Sequence, residues 1–206
     1  MRRVFSCLSS LLIAGMLFSV AGYAQSNPIY FPYVVNDSQT VTDLIFTNVT
    51  GQDASLNLTR YPEDGSSPTV STVAVPASSQ VIVGGGTGFK GWAIASSDTP
   101  GVLGNLRVAS PNHAAQDTTE SAQLGTGLIL PLAVQSSGAT TEIAVANPSP
   151  NSARVVLTLY DKDGRIIATT DAGLAGFGMI RGSISALFGV GKNYSAASHV
   201  VARFLP

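Results

Sequence analysis

Apolar and polar positions alternate along much of the chain. Leu44 and Phe46 alternate with Asp43, Ile45 and Thr47, and Ile143 and Val145 alternate with Glu142, Ala144 and Ala146. Further on, Ala54, Leu56 and Leu58 share one phase, with Ser55, Asn57 and Thr59 on the other. Ala153, Val155, Leu157 and Leu159 are set in the same way against Arg154, Val156 and Thr158. A period of two with one apolar phase predicts strands of sheets covered on one side. Asp64-Gly65 and Asp163-Gly164 follow these runs, and Asp-Gly beside alternating segments predicts a hairpin turn. Further strands are predicted at residues 69–75, 92–95, 102–108, 165–168 and 198–204, with a flexible turn at 84–91. Residues 184–188 have the spacing of a single helical turn.

The pattern occurs twice. Displaced by 99 residues, 31–65 falls on 130–164 without a gap, and eleven of those 35 positions are identical, against about two expected by chance at ordinary composition. Pro32 meets Pro131, Thr42 meets Thr141, Asn48 meets Asn147, Leu58 meets Leu157 and Tyr61 meets Tyr160. Such internal similarity decides domain count better than length does. The predicted organisation is a first module at 28–111, a polar linker at 112–127 without periodicity, and a second module at 128–206. From Ala172 onward the two copies diverge in sequence. An offset of 107 aligns His199-Val200-Val201-Ala202 with Trp92-Ala93-Ile94-Ala95, which implies an insertion of eight residues. On that alignment the second copy lacks a counterpart of 102–108, so strand 198–204 is expected to have one open flank, a template for strand addition by another protein. A truncated chain, a strand supplied by another chain and a different closure of the second module are the three alternatives.

About seven short strands in some 80–100 residues predict a two-sheet sandwich, so the fold class is all-β. The F-P or L-P strand, the apolar strand ending in asparagine and the strand ending in Tyr-x-x-Asp-Gly recur at Phe31-Pro32, Leu44 to Asn48 and Tyr61 to Gly65. They recur again at Leu130-Pro131, Ile143 to Asn147 and Tyr160 to Gly164. This pattern resembles immunoglobulin-like β-sandwich repeats of large secreted bacterial proteins. The resemblance implies two tandem immunoglobulin-like modules, the second without its last strand, acting as spacers, adhesion modules or surface-binding modules. It implies no catalytic residues.

The N-terminus changes the compartment and the charge. Arg2 and Arg3 precede an apolar run from Leu8 to Val20, and small residues follow at Ala21, Gly22 and Ala24. That order is a secretory signal with cleavage after Ala24, and the run is short for a bilayer-spanning helix. An uncleaved N-terminal anchor is the competing reading. Removal of 1–24 takes away Cys7, the chain's one cysteine, and with it disulfides, thiol catalysis and cysteine-bound metals. Nine basic and twelve acidic residues then remain, a net charge of −3 with no basic stripe, which excludes a nucleic-acid partner. No later apolar run is long enough to span a membrane. The expected location is secreted, periplasmic or at the cell surface.

Candidate chemistries are few. Gly86-Thr87-Gly88-Phe89-Lys90-Gly91 fits G-x-G-x-x-G, but a dinucleotide site needs that turn to open a helix, and here it precedes a strand. Asp161-x-Asp163-Gly164 has part of a calcium loop, yet Leu159 and Thr170 stand where an EF-hand needs acids. A hairpin is the preferred reading, with a weak calcium site at the loop tip left open. His113 and His199 are the only histidines, and neither belongs to a recognisable Ser-His-acid set. Carboxylates paired as in a glycosidase remain open on spacing alone. Tyr30, Tyr33, Phe89 and Trp92 form either core or an aromatic platform for polysaccharide. The expectation is a non-enzymatic structural, adhesion or binding module with no cofactor, no metal and no catalytic residue. The alternative is a carbohydrate- or calcium-dependent surface-binding module, with a hydrolase as the third class. Mass spectrometry of exported protein should place the mature N-terminus near Gln25, and a membrane-bound product retaining Met1 would contradict this.

Overall fold

The computed structural model describes residues 28–111, 116–120, 124–131, 133–135 and 140–205. The leader at 1–24, His113 and parts of the 112–127 segment lie outside the described residues. In chain order the strands are β1 (Ile29–Val35), β2 (Val41–Asn48), β3 (Ala54–Pro62), β4 (Thr69–Val75), β5 (Gln80–Gly84), β6 (Lys90–Ser97), β7 (Val102–Ala109) and β8 (Gln116–Glu120). There follow β9 (Gly127–Leu130), β10 (Glu142–Ala146), β11 (Ala153–Asp161), β12 (Ile166–Leu174), β13 (Met179–Ser183), the helix α1 (Ile184–Phe188) and β14 (Ala197–Leu205). The chain is almost entirely β, as its alternation predicts.

In the N-terminal half two four-stranded antiparallel sheets, ordered β1-β6-β3-β4 and β5-β2-β7-β8, face one another across a core. The inward phase of each strand supplies that core: Phe31, Leu56, Leu58, Ala93 and Ala95 from one sheet, Leu44, Phe46 and Leu106 from the other. Phe31 and Phe46 meet edge to face with ring centroids 5.7 Å apart. In the C-terminal half the sheet β12-β11-β14-β9 faces a two-stranded sheet, β10-β13. Its core contains Ile143, Val145, Val155, Leu157, Leu159, Val200 and Ala202.

The strand pairings of the two halves coincide at the offsets read from the sequence. Tyr61 opposes Trp92 as Tyr160 opposes His199, and Phe31 opposes Ala93 as Leu130 opposes Val200. Asp43 opposes Gly84 as Glu142 opposes Ser183, so the 99-residue register continues to the end of β13, well past the point where sequence similarity fades. Buried polar groups follow the same rule, because each must find a partner. The Asn48 amide donates to the Gln52 and Pro76 carbonyls at 2.7 and 3.2 Å, and Asn147 donates to those of Asn151 and Ala175 at 2.7 and 3.0 Å. Each asparagine thereby fastens the turn that follows its own strand to the connection between two later strands. The turn glycines Gly65 and Gly164 have φ of 77° and 78°, as Asp-Gly hairpins require.

Two expectations change. Residues 116–120, assigned to a linker, form β8, paired with β7 from Asn105↔Glu120 to Ala109↔Gln116. An edge strand pairs through its backbone, so a polar sequence there carries no apolar alternation to read. The strand expected at 198–204 has no open flank: β14 lies between β11 and β9, because the half's own first strand returns to its free side. Among the described residues the open edge belongs instead to β10, which pairs with β13 alone, whereas β2 lies between β5 and β7.

The insertion closes the core that β7 covers in the other half. Ser183 caps α1 through a 3.2 Å bond from the Ala186 amide, and Ile184, Phe188 and Tyr194 are all buried in the core that also holds Ile143 and Val145. The Tyr194 hydroxyl donates to the Phe188 carbonyl at 2.7 Å, which satisfies the polar end of a buried ring. Of the three alternatives for the second half, the different closure accounts for this packing. Leu58 and Leu157 are both completely buried. Truncating either to Ala should cost about 2–5 kcal/mol by denaturant titration, a loss on the scale of cavity-forming substitutions.

Candidate functional site

The candidates named from sequence are dispersed. The Gly86–Gly91 motif is a turn closed by a 3.1 Å bond from the Phe89 amide to the Gly86 carbonyl, and it leads into β6. The Asp161 carboxylate accepts the amides of Asp163 and Arg165 at 2.9 and 2.8 Å, and these bonds, that from Arg165 first, hold it below the usual carboxylate range. Among the described residues no three His, Cys, Asp or Glu side chains gather as metal ligands would. His199 stacks on Tyr160, with centroids 5.0 Å apart and planes 6° from parallel. Phe89 and Tyr33 pack against the N-terminal core, and Tyr30 is half-buried, so the four aromatics proposed as a platform do not form one.

Trp92 is the exception to the sheet's own logic. Along β6 the inward phase is Gly91, Ala93 and Ala95, so Trp92 points outward, yet it is only 1% exposed. The C-terminal half covers it. Tyr61, directly across from it on β3, stacks on the indole at 4.3 Å with planes 10° apart, and Phe177 stacks on Tyr61 at 5.0 Å and 14°. The indole N–H donates to the Phe177 carbonyl at 2.8 Å. Three rings from two halves form one stack, with its polar atom satisfied.

Phe177 lies in the turn between β12 and β13 with φ of 58°. A left-handed conformation costs a non-glycine residue about 1–2 kcal/mol. Ser78, 99 residues earlier, has φ of 52°, and the two amides donate to equivalent carbonyls, Phe177 to Ser149 at 2.9 Å and Ser78 to Thr50 at 2.8 Å. The turn geometry therefore belongs to both halves; the ring that uses it belongs to one.

Beside the stack Arg181 joins the halves electrostatically. Its Nε donates to Glu63 at 3.0 Å and its Nη1 to Glu142 at 2.9 Å. The Tyr33 hydroxyl donates to the other oxygen of Glu142 at 2.7 Å, and the guanidinium lies 5.8 Å over the Tyr33 ring. Burial opposes the Arg181 charge, but the two carboxylates outweigh it and hold the group above its ordinary value. Burial, then the Glu142 hydrogen bond, pushes Tyr33 up to about 12. Both carboxylates here are engaged by one guanidinium, an arrangement suited to holding surfaces together. Sequence reasoning missed Glu63, Glu142, Phe177 and Arg181 as a group. The one available signal was a phenylalanine between two glycines, Gly176 and Gly178, where a turn would ordinarily be polar.

Neither a scan against protein families nor a search of curated proteins finds a match. Among solved structures, the crystal structure of Thermotoga maritima 1070 is 22% identical with a TM-score of 0.41, covering 47% of this chain and 93% of that one. A likeness that distant carries no argument about this chain.

The Tyr33 hydroxyl keeps its proton to higher pH in the folded chain than its ordinary value of 10.0 allows in an unfolded one. Its stabilising contribution is thus complete below about pH 10 and lost as the pH rises through about 12. Stability measured by denaturant titration should fall across that window, and Tyr33→Phe should flatten the fall.

Proposed function

We propose that the chain is an exported, non-enzymatic structural or adhesion element made of two immunoglobulin-like β-sandwich repeats held in fixed orientation. The observation that carries this reading is the burial of Trp92 on the outer face of its sheet, beneath Phe177 and beside the Arg181 ion pairs. Two halves joined only by a tether have no reason to bury an outward tryptophan; a spacer or adhesion element that transmits position from one end to the other does. The coinciding registers at offsets of 99 and 107 support the repeat reading, and the leader at 1–24 supports export to the periplasm, cell surface or medium. A calcium-dependent role has less support, because Asp161 already spends a carboxylate oxygen within its own turn.

Trp92 is the only tryptophan, so its emission reports the contact without labelling. In the mature chain, Phe177→Ala combined with Arg181→Gln should shift that emission to the red and broaden the distance distribution from small-angle scattering. Circular dichroism should keep its β signature. A wild-type chain whose halves already scatter as independent bodies would overturn the fixed-spacer reading.

A further inference from the structure

The two halves differ at one inward position of equivalent strands. Along β3 the inward phase runs Ala54, Leu56 and Leu58, and its next member is Arg60, paired with Ala93 of β6 and Thr69 of β4. The equivalent residue on β11 is Leu159, fully buried and paired with Ala168 and Val200. Leu159 shares its core with Ala168 and Ile184, so that end of the C-terminal half is apolar. In the N-terminal half the same end is polar. Ser71 and Thr69 oppose Leu58 and Arg60 and so share their inward phase, yet both are exposed.

Arg60 spans this opening. Its Nη1 donates to the Ser71 hydroxyl at 3.1 Å and its Nη2 to the Gly84 carbonyl at 3.2 Å, which ties together β4 and β5, the edge strands of the two sheets. Only two of its five N–H donors are thereby used, and Nε is buried without a partner. Among the described residues no carboxylate lies within ion-pair distance of Arg60, whereas every other described Lys or Arg either has one or is exposed. Burial holds the guanidinium below its ordinary value, and no acid acts in the opposite direction. A half-buried cation costs free energy unless a negative charge meets it.

We propose that Arg60, with the hydroxyls of Ser71 and Thr69, binds a carboxylate group from solution at this opening between β4 and β5. A carboxylate is planar and singly charged, which suits a guanidinium fork and one cation; the second charge of a phosphate or sulfate would meet no second cation here. Ser71 accepts from Arg60, so its own hydroxyl proton is available to the ligand. The mature net charge of −3 works against diffuse accumulation of anions, so saturable binding would be local. Acidic sugars and peptide C-termini both carry the required group. The site is independent of the fixed-spacer reading.

The test titrates the isotope-labelled mature chain with sodium acetate at constant ionic strength and follows amide shifts by magnetic resonance. Saturable shifts should be confined to residues 59–61, 69–71 and 83–86. Arg60→Leu, which installs the residue of the other half, should weaken binding about tenfold or more. Arg60→Lys keeps the charge but not the fork and should lose less, as should Ser71→Ala at an exposed position. Unchanged circular dichroism would verify that the variants fold. Glucuronate and N-acetylglycine then separate the two sources of the group, the tighter of them identifying the natural one. Shifts that never saturate, or an acetate response that survives in Arg60→Leu, would overturn the site. Sulfate bound as tightly as acetate would overturn its assignment to a carboxylate.

Discussion

The arrangement of this molecule depends on covering a large aromatic pair that lies on the outer side of a sheet. Trp92 and Tyr61 lie side by side across β6 and β3, pointing away from the core that their neighbours Ala93 and Leu58 help to fill. Left in water, that pair would form an apolar patch at the centre of the sheet. Phe177 covers the stack, its carbonyl takes the indole proton, and Arg181 fixes the edge with two carboxylates. The strained turn at Phe177 is offset by the contacts it makes possible.

Much of the fold was legible because it rests on side-chain phase. Leu44, Phe46, Leu58 and Leu157 lie where the alternation put them, and the helical turn at 184–188 was visible as a break in period. What escaped notice rests on the backbone. From β12 to β13 the two halves share scarcely a residue, yet Ser78 and Phe177 have the same left-handed turn and donate to equivalent carbonyls. Bonds of this kind are made by peptide groups, which leave no trace in residue identity. β8 went unread for the same reason. The expected open flank on 198–204 failed because the missing counterpart of 102–108 was given the wrong neighbour: β7 pairs with β2, so its absence opens β10, while β9 lies beside β14.

The candidate site was less legible than the fold. Its members come from β1, β3, β6, β10 and the β12–β13 region, and only Tyr33 and Trp92 had been considered for a surface role. Glu63 and Glu142 are ordinary acids near strand ends when viewed singly. Their meaning comes from Arg181, 118 and 39 residues away in sequence. No local motif encodes such a triad, because it exists only after two separately closed sheets have met.

The return of β9 to the flank of β14 also bears on the order in which the chain acquires structure. Leu130 waits for Val200, some 70 residues later, before its strand has a partner. Contacts that distant in sequence demand loop closure before they return any stabilisation, which slows the search for the native topology. The N-terminal half meets the same requirement earlier, when β6 reaches β1, and can be closed before the rest of the chain has its partners. During that interval Trp92 and Tyr61 lie bare on a finished surface. The half that folds first thereby offers the later one a template on which to dock.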